Sequence, residues 1–367
     1  MLPDFLYQHL YLLLVTVCTI FCSIQYYNDS LHPLPDREKN QHIGGWLFVI
    51  LLALFIGYRP VSAVYFGDTY NYDLFYKVFN YGKAFNWKFE GHDLVYENMI
   101  NWFGSQRYTS RVLFVTMSLL YFGIAYKAMT KLFPRNAFYG FVVFMAAFST
   151  FSYGTNGIRA GVAGSLFLCA LAYRENKIKA IIFLLLSIGF HHSMIVPIIA
   201  FIGAWLYKNT KAYIAFWIFA LCIALFHITF FQELFSSMGD ESAAGYLHGS
   251  DNWGGKTGFR LDFVLYSMLP IVTGYITLFK YRLKSTEYSF IYNIYLLTNA
   301  VWMLCMYASF TNRIAYLSWL MYPVVLVYPF FCHDFMPAQA KRLNQIVWIQ
   351  LLFTLAMTYI YYTIIHV

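Results

Sequence analysis

Apolar residues run along this chain in long blocks, broken by short stretches that carry charge, Gly, Asn or Pro. A block of about 20 apolar residues is the length that crosses a bilayer as one helix. Read from break to break, the blocks predict twelve helices, at about 5–25, 43–58, 110–130, 136–152, 156–173, 177–190, 193–207, 210–231, 260–280, 288–309, 313–332 and 343–364. The expected fold class is therefore all-α: one polytopic membrane domain over 1–367, with about 12 transmembrane helices. The runs at 43–58, 177–190 and 193–207 are short for a full crossing and are expected as broken or re-entrant helices. Only Asp4 precedes the first apolar run, and no basic segment does, so that run is read as a membrane helix and not as a cleaved signal.

Composition agrees. The chain is 60% hydrophobic, 22% aromatic and 11% charged, with a mean hydropathy of +0.54. Soluble domains carry about 25% charged residues, so a soluble enzyme, a DNA-binding module and a disordered chain are all excluded. The net charge of +8 resolves into topology. Fifteen of the 25 lysines and arginines sit in six alternate connections, from Arg37 and Lys39 to Lys341 and Arg342, while the short turns between hold almost none. The positive-inside rule puts these six in the cytoplasm and both termini outside. The bilayer is the implied partner; nucleic acid is not.

Two outer loops are long. Residues 59–109 contain GDTYNYDLFYKVF and an amphipathic stretch, HDLVYENMINWF, expected to lie along the membrane with Leu94, Met99 and Phe103 on its apolar side. Residues 232–259 are Gly/Ser-rich, polar and acidic, and a loop of that length is expected as a lid or binding loop, or else as disordered.

Polar residues without a topological duty mark candidate chemistry. Arg159 (SYGTNGIRAG) and Arg313 (SFTNRIAY) each follow a Thr-Asn pair in the first turn of a predicted helix. A cation there opposes the helix dipole, so two such placements fit a site that holds an anion, with free N–H groups and a planar guanidinium converging on phosphate oxygens. Asn156 belongs to the same turn, and Arg59 and Arg260 lie where the long outer loops join helices. A plain interfacial anchor is the competing reading for each arginine.

In GFHHSMIVP, His191 or His192 suits a general base, since an ordinary histidine pKa near 6.5 allows proton transfer at neutral pH. On a helix, neighbouring histidines face different ways, so no metal site is expected, and no cofactor is called for. In GDTYNYDLFY, Asp68 is an alternative base, Asp73 a ligand for sugar hydroxyls, and Tyr70, Tyr72 and Tyr76 rings that stack on sugars or form an interfacial belt. Gly157, Gly161 and Ser165, widened by Gly164, make a small-residue stripe for close helix packing. The chain has no DxD, Walker A or GxSxG motif, and few acids lie mid-span, which weighs against an ion-coupled transporter. What remains is chemistry or binding at the outer face on a lipid-linked anionic substrate.

GDTYNY, NGIRAGVAGSLFLCALAY, IIFLLLSIGFHHSMIVP and NRIAYLSW, in that order over roughly 44–332, resemble the EpsG family of Wzy-like bacterial polysaccharide polymerases. Ala160 departs from the pattern, standing where such proteins commonly carry Gln. The resemblance implies a glycosyltransferase of the bacterial inner membrane, with its active site facing outside. It would polymerise undecaprenyl-diphosphate-linked oligosaccharide repeat units, as both donor and acceptor, into O-antigen, capsule or exopolysaccharide. A flippase and a chain-length regulator of the same pathway are the implied partners. In that reading His191, His192 or Asp68 is the base, and Arg159 and Arg313 stabilise the departing diphosphate. The rivals are a ligase of related architecture, a transferase using a polyprenyl-monophosphate sugar, a membrane O-acyltransferase and, without chemistry, a flippase.

Overall fold

A computed structural model describes residues 2–31, 38–238, 258–309 and 311–361. Most of the loop expected at 232–259, residues 239–257, lies outside the described residues, as does Arg37. Among the described residues every regular element is helical.

Four helices among the described residues are long and apolar enough to cross a membrane: Leu6–Leu31, Ser110–Leu132, Leu261–Lys280 and Thr311–Cys332. Ala137–Met145 and Phe148–Thr155 make a fifth if the pair counts as one span, bent by 79° at its break. Ile43–Gly57, Ile158–Ala172, His192–Leu206 and Thr210–Leu225 are shorter apolar helices. Among the described residues, length and composition alone support four or five of the expected twelve crossings. The apolar blocks are present, but several fold as short or kinked helices.

The chain forms two compact units. The first comprises Met1–Met194, Phe330–His333 and Pro337–Val367; the second comprises Ile195–Pro329 and Asp334–Met336. In the first, the elements are α1 (Leu6–Leu31), α2 (Glu38–Gly57), α3 (Gly67–Phe75), α4 (Leu94–Ser105), α5 (Ser110–Leu132), α6 (Ala137–Met145), α7 (Phe148–Thr155), α8 (Ile158–Ala172) and α9 (Lys177–Phe190), with a closing helix at Gln339–Tyr359.

The break between α6 and α7 shows how this unit holds an interrupted helix in an apolar interior. A bend there frees carbonyls that no water can reach, and each must find a donor. Gln350 Nε2 donates to Val143 O at 2.9 Å and Thr354 Oγ1 to Ala146 O at 2.8 Å. Tyr11 Oη reaches Met145 O at 2.8 Å, and Thr150 Oγ1 reaches Phe144 O at 2.6 Å. The predicted single helix at 136–152 is thus two, because distant side chains satisfy the kink.

Helix α8 packs between α5 and α9, as its small-residue stripe predicts. Ser165 Oγ donates to Tyr121 O at 2.8 Å, and Ser187 Oγ of α9 donates to Ala163 O at 2.7 Å. The second unit is built around a buried polar network. Trp217 Nε1 donates to Asn299 Oδ1 at 2.8 Å, while Asn299 Nδ2 reaches Ser267 Oγ at 3.1 Å and Ser318 Oγ at 3.0 Å. In an apolar interior such bonds tie helices together that apolar surface alone would not.

Candidate functional site

Helix α4 is the expected amphipathic helix, but its apolar residues are used for packing. Phe103 is buried, and Leu94 and Met99 are half-buried. The helix lies against the π-helical turn at Tyr76–Asn80 and against α9. At Gly189 of α9 a Cβ would stand 2.5 Å from Val95 Cγ2. Only a residue without a side chain lets the end of α9 come so close to the start of α4.

That approach brings together what the chain keeps apart. Asp93 occupies the N-cap position of α4, yet it makes no side-chain bond to its own helix. The carboxylate, 3% exposed, turns instead to α8 and to the residues after α9. Its Oδ2 accepts from Arg159 Nη1 at 2.6 Å and from His191 Nδ1 at 3.3 Å. Its Oδ1 accepts from the His192 backbone N–H at 2.9 Å and from His192 Nδ1 at 3.1 Å.

Helix α9 ends at Phe190. His191 has extended backbone (φ −156°, ψ 114°), and His192 opens a single 3-10 turn. The expectation that neighbouring histidines cannot share a partner assumed a continuous helix. The break removes that geometry, and both rings meet one carboxylate. Gly91, at φ 137°, makes the turn that leads into Asp93, a conformation L side chains rarely adopt.

A carboxylate can only accept, so both imidazoles present Nδ1–H to Asp93 and keep an Nε2 lone pair on the far side. Burial alone would raise the Asp93 pKa, but the hydrogen bonds from His191 and His192 and the charge of Arg159 hold it well below the usual carboxylate range. Burial also lowers the His191 pKa, against the pull of Asp93, so that imidazole is neutral near pH 7. The His191 side chain is 20% exposed and that of His192 48%.

Arg159 is fixed on several sides. Its Nε donates to Tyr72 Oη at 3.2 Å, and its guanidinium carbon lies 5.6 Å and 5.5 Å from the ring centroids of Tyr72 and Tyr96. With 36% of the side chain exposed, the guanidinium retains N–H capacity for an outside acceptor.

Asp93, His191 and His192 each offer one ligand atom, all within 4.8 Å of one another, a spacing that suits a divalent cation. A backbone N–H and a guanidinium already fill two of the acceptor positions on that carboxylate. Those fixed donors make Asp93 an acceptor hub that sets two imidazole tautomers.

The other expected site residues divide. Tyr72 joins the cluster, and Asp68, half-buried in the first turn of α3, shares its helix face four residues earlier. Tyr70 is exposed. Asp73 is buried, with one oxygen bound to Lys77 at 2.7 Å and the other to Ser110, so both of its oxygens are engaged within the protein. Asn156 caps the end of α7, with its side-chain oxygen buried and unpartnered.

Arg59 is corrected from a diphosphate ligand to a core residue. It is 1% exposed, bound to Thr69 Oγ1 at 2.8 Å, Ile56 O at 3.0 Å and Thr155 O at 2.6 Å. It thereby ties α3 to the end of α7. In the second unit, Arg260 pairs with Asp262 at 2.7 Å and stacks on Phe263 at 3.5 Å. Arg313 is exposed in the first turn of the helix Thr311–Trp319.

Asp93 is the residue that the sequence reading missed. The available signal was an Asp opening a helix whose first turn already holds a carboxylate, Glu97.

Against known proteins, the model of the EpsG family matches residues 44–367. No curated protein and no solved structure matches the chain.

Proposed function

The chain belongs to the EpsG family of polysaccharide-biosynthesis membrane proteins, and on that footing we propose that it is a glycosyltransferase that polymerises lipid-diphosphate-linked oligosaccharide units at the outer membrane face. The observation that carries this reading is the Asp93 cluster, in which one carboxylate orients two imidazoles and a guanidinium. Glycosyl transfer from a lipid diphosphate needs those parts: a base for the incoming hydroxyl and a cation for the departing anion.

The acceptor hydroxyl oxygen attacks the anomeric carbon of the donor. Its proton passes to Nε2 of His192, the more exposed of the two rings, whose Nδ1–H is held by Asp93. The resulting imidazolium is stabilised by that carboxylate, as in other Asp–His pairs. The bond from the anomeric carbon to the phosphate oxygen breaks, and the lipid diphosphate leaves with the electron pair. Arg159, kept rigid between Tyr72 and Tyr96, meets the charge that develops there. His191 lies deeper, stays neutral and completes the support of Asp93. Fixed donors in a site of low dielectric act more strongly than they would in water.

The test is purified protein in nanodiscs, given synthetic undecaprenyl-diphosphate repeat units. A ladder of products supports a polymerase. A single transfer to a different acceptor makes the protein a ligase, and unchanged lipid that crosses the bilayer makes it a flippase.

A further inference from the structure

Between the turn at Gly82 and the start of α4, the chain carries a ring at every second residue: Phe85, Trp87 and Phe89. They form a row, with centroids 5.9 Å apart from Phe85 to Trp87 and 6.4 Å from Trp87 to Phe89. None is packed away; their exposures are 38%, 60% and 81%.

The backbone beneath the row is pinned. Asn98 of α4 accepts from Lys88 N at 2.8 Å and donates to Lys88 O at 2.9 Å, which places a side chain where a neighbouring strand would be. Asn101 Nδ2 donates to Asn86 O at 3.1 Å, and Lys88 Nζ pairs with Glu97 at 3.1 Å. The backbone that carries the three rings is therefore anchored to α4, on a segment with no regular structure of its own. The segment runs directly into His92 and Asp93, and the His92 ring lies 5.0 Å from that of His192.

We propose that Phe85, Trp87 and Phe89 form a stacking platform that holds the glycan of a lipid-linked substrate beside His192. The proposal rests on the glycosyl-transfer reading above. Pyranose rings present C–H faces, and rigid aromatic rings offer them large contact area at low entropic cost. Composition separates this row from a lipid anchor. The exposed residues of α3 and the turn after it mix aliphatic with aromatic side chains, Leu74, Phe75, Val78 and Phe79, as a lipid-facing surface does. The row at 85–89 interleaves rings with Asn86 and Lys88 and has no aliphatic side chain.

The experiment compares the wild type with a Phe85→Ala/Trp87→Ala/Phe89→Ala variant of the full chain in nanodiscs. The probe is a set of oligosaccharide fragments released by mild acid from the surface polysaccharide of the host cell, followed by saturation-transfer NMR. Wild type should saturate sugar protons, and the triple variant should bind at least about tenfold more weakly. Equal signals from the triple variant and the wild type, or no signal from the wild type, would overturn the platform. Strong quenching by brominated lipid of emission that is lost in Trp87→Phe would also overturn it, by placing the row in the membrane. Polymer length in cells separates the two ideas. If His192→Ala and Arg159→Ala both make full polymer, the transfer reading fails. If His192→Ala makes none while the triple variant makes wild-type lengths, the platform alone fails.

Discussion

Asp93 and Arg159 are 66 residues apart in the chain, and their side chains meet at 2.6 Å. The contact joins the first residue before one helix to the first turn of another, and both histidines of the HHS segment close on the same carboxylate. A pair buried on one side and 36% exposed on the other is suited to reach outward. It would contribute little as a simple stabilising salt bridge.

Asp93→Asn tests the hub. An amide cannot accept from two imidazoles, a backbone N–H and a guanidinium together, so the tautomers and the Arg159 position are both lost. The expected fall in polymer synthesis is at least about 100-fold, the usual contribution of a positioned base. Because Arg159 reaches solvent, the protein should still purify as a monodisperse species. Gel analysis of polymer and size exclusion of the variant check the two halves.

Arg159→Lys keeps the charge and loses the shape. One ammonium cannot serve Asp93, Tyr72 and a substrate oxygen at once. Losing a charge-assisted hydrogen bond predicts a rate roughly 10- to 100-fold lower. Wild-type polymer length and amount in this variant would remove Arg159 from the leaving-group site.

His191→Ala and His192→Ala should differ. The exposed His192 is the expected base, so its loss should lower turnover by about 100-fold or more. His191 acts through Asp93, and its loss should cost less. Equal, mild effects from both would move the base to Asp68, which shares the Tyr72 face of α3.

Helix positions were largely legible in the chain. The block predicted at 177–190 is α9, Lys177–Phe190. The kink between α6 and α7 was not, because the donors that permit it, Gln350 and Thr354, lie some 200 residues away. At the site, His191, His192, Arg159 and Tyr72 could be read from local context. Asp93 could not, since its role arises only where α9 meets α4. Arg59 was misread for a related reason. A guanidinium at the end of an apolar run looks the same in sequence whether it faces outward or, as here, inward onto Thr69 and the Thr155 carbonyl.

Stability should respond to acid through His191. Its pKa in the folded protein lies below the ordinary 6.5. Between those two values the unfolded chain binds the proton more readily, so stability is full above about 6.5 and is lost as pH falls through the folded value. The melting midpoint of wild type in detergent should drop as pH is lowered from 7 to 5, and His191→Asn should flatten that dependence. Asp93 follows the same sign at lower pH: its contribution is present above the ordinary carboxylate value and lost only as pH falls through its depressed folded value. A wild-type midpoint that does not move between pH 7 and 5 would contradict the buried, neutral His191.

Gly189 gives a test that touches no charged group. A Cβ there meets Val95 Cγ2 at 2.5 Å, and valine on a helix has little rotameric freedom with which to yield. Ala should be accommodated with a small shift. Leu must push the end of α9 away from α4, an overpacking cost of about 1–3 kcal/mol. Because His191 and His192 follow directly on that end, the displacement falls on their bonds to Asp93. Polymer synthesis should therefore decline in the order Gly, Ala, Leu, with the Leu variant still present in the membrane. Pairing Gly189→Leu with Val95→Ala makes room for the new side chain and should recover much of the activity. If Gly189→Leu alone retains full activity, the close approach of α9 and α4 is not what assembles the cluster.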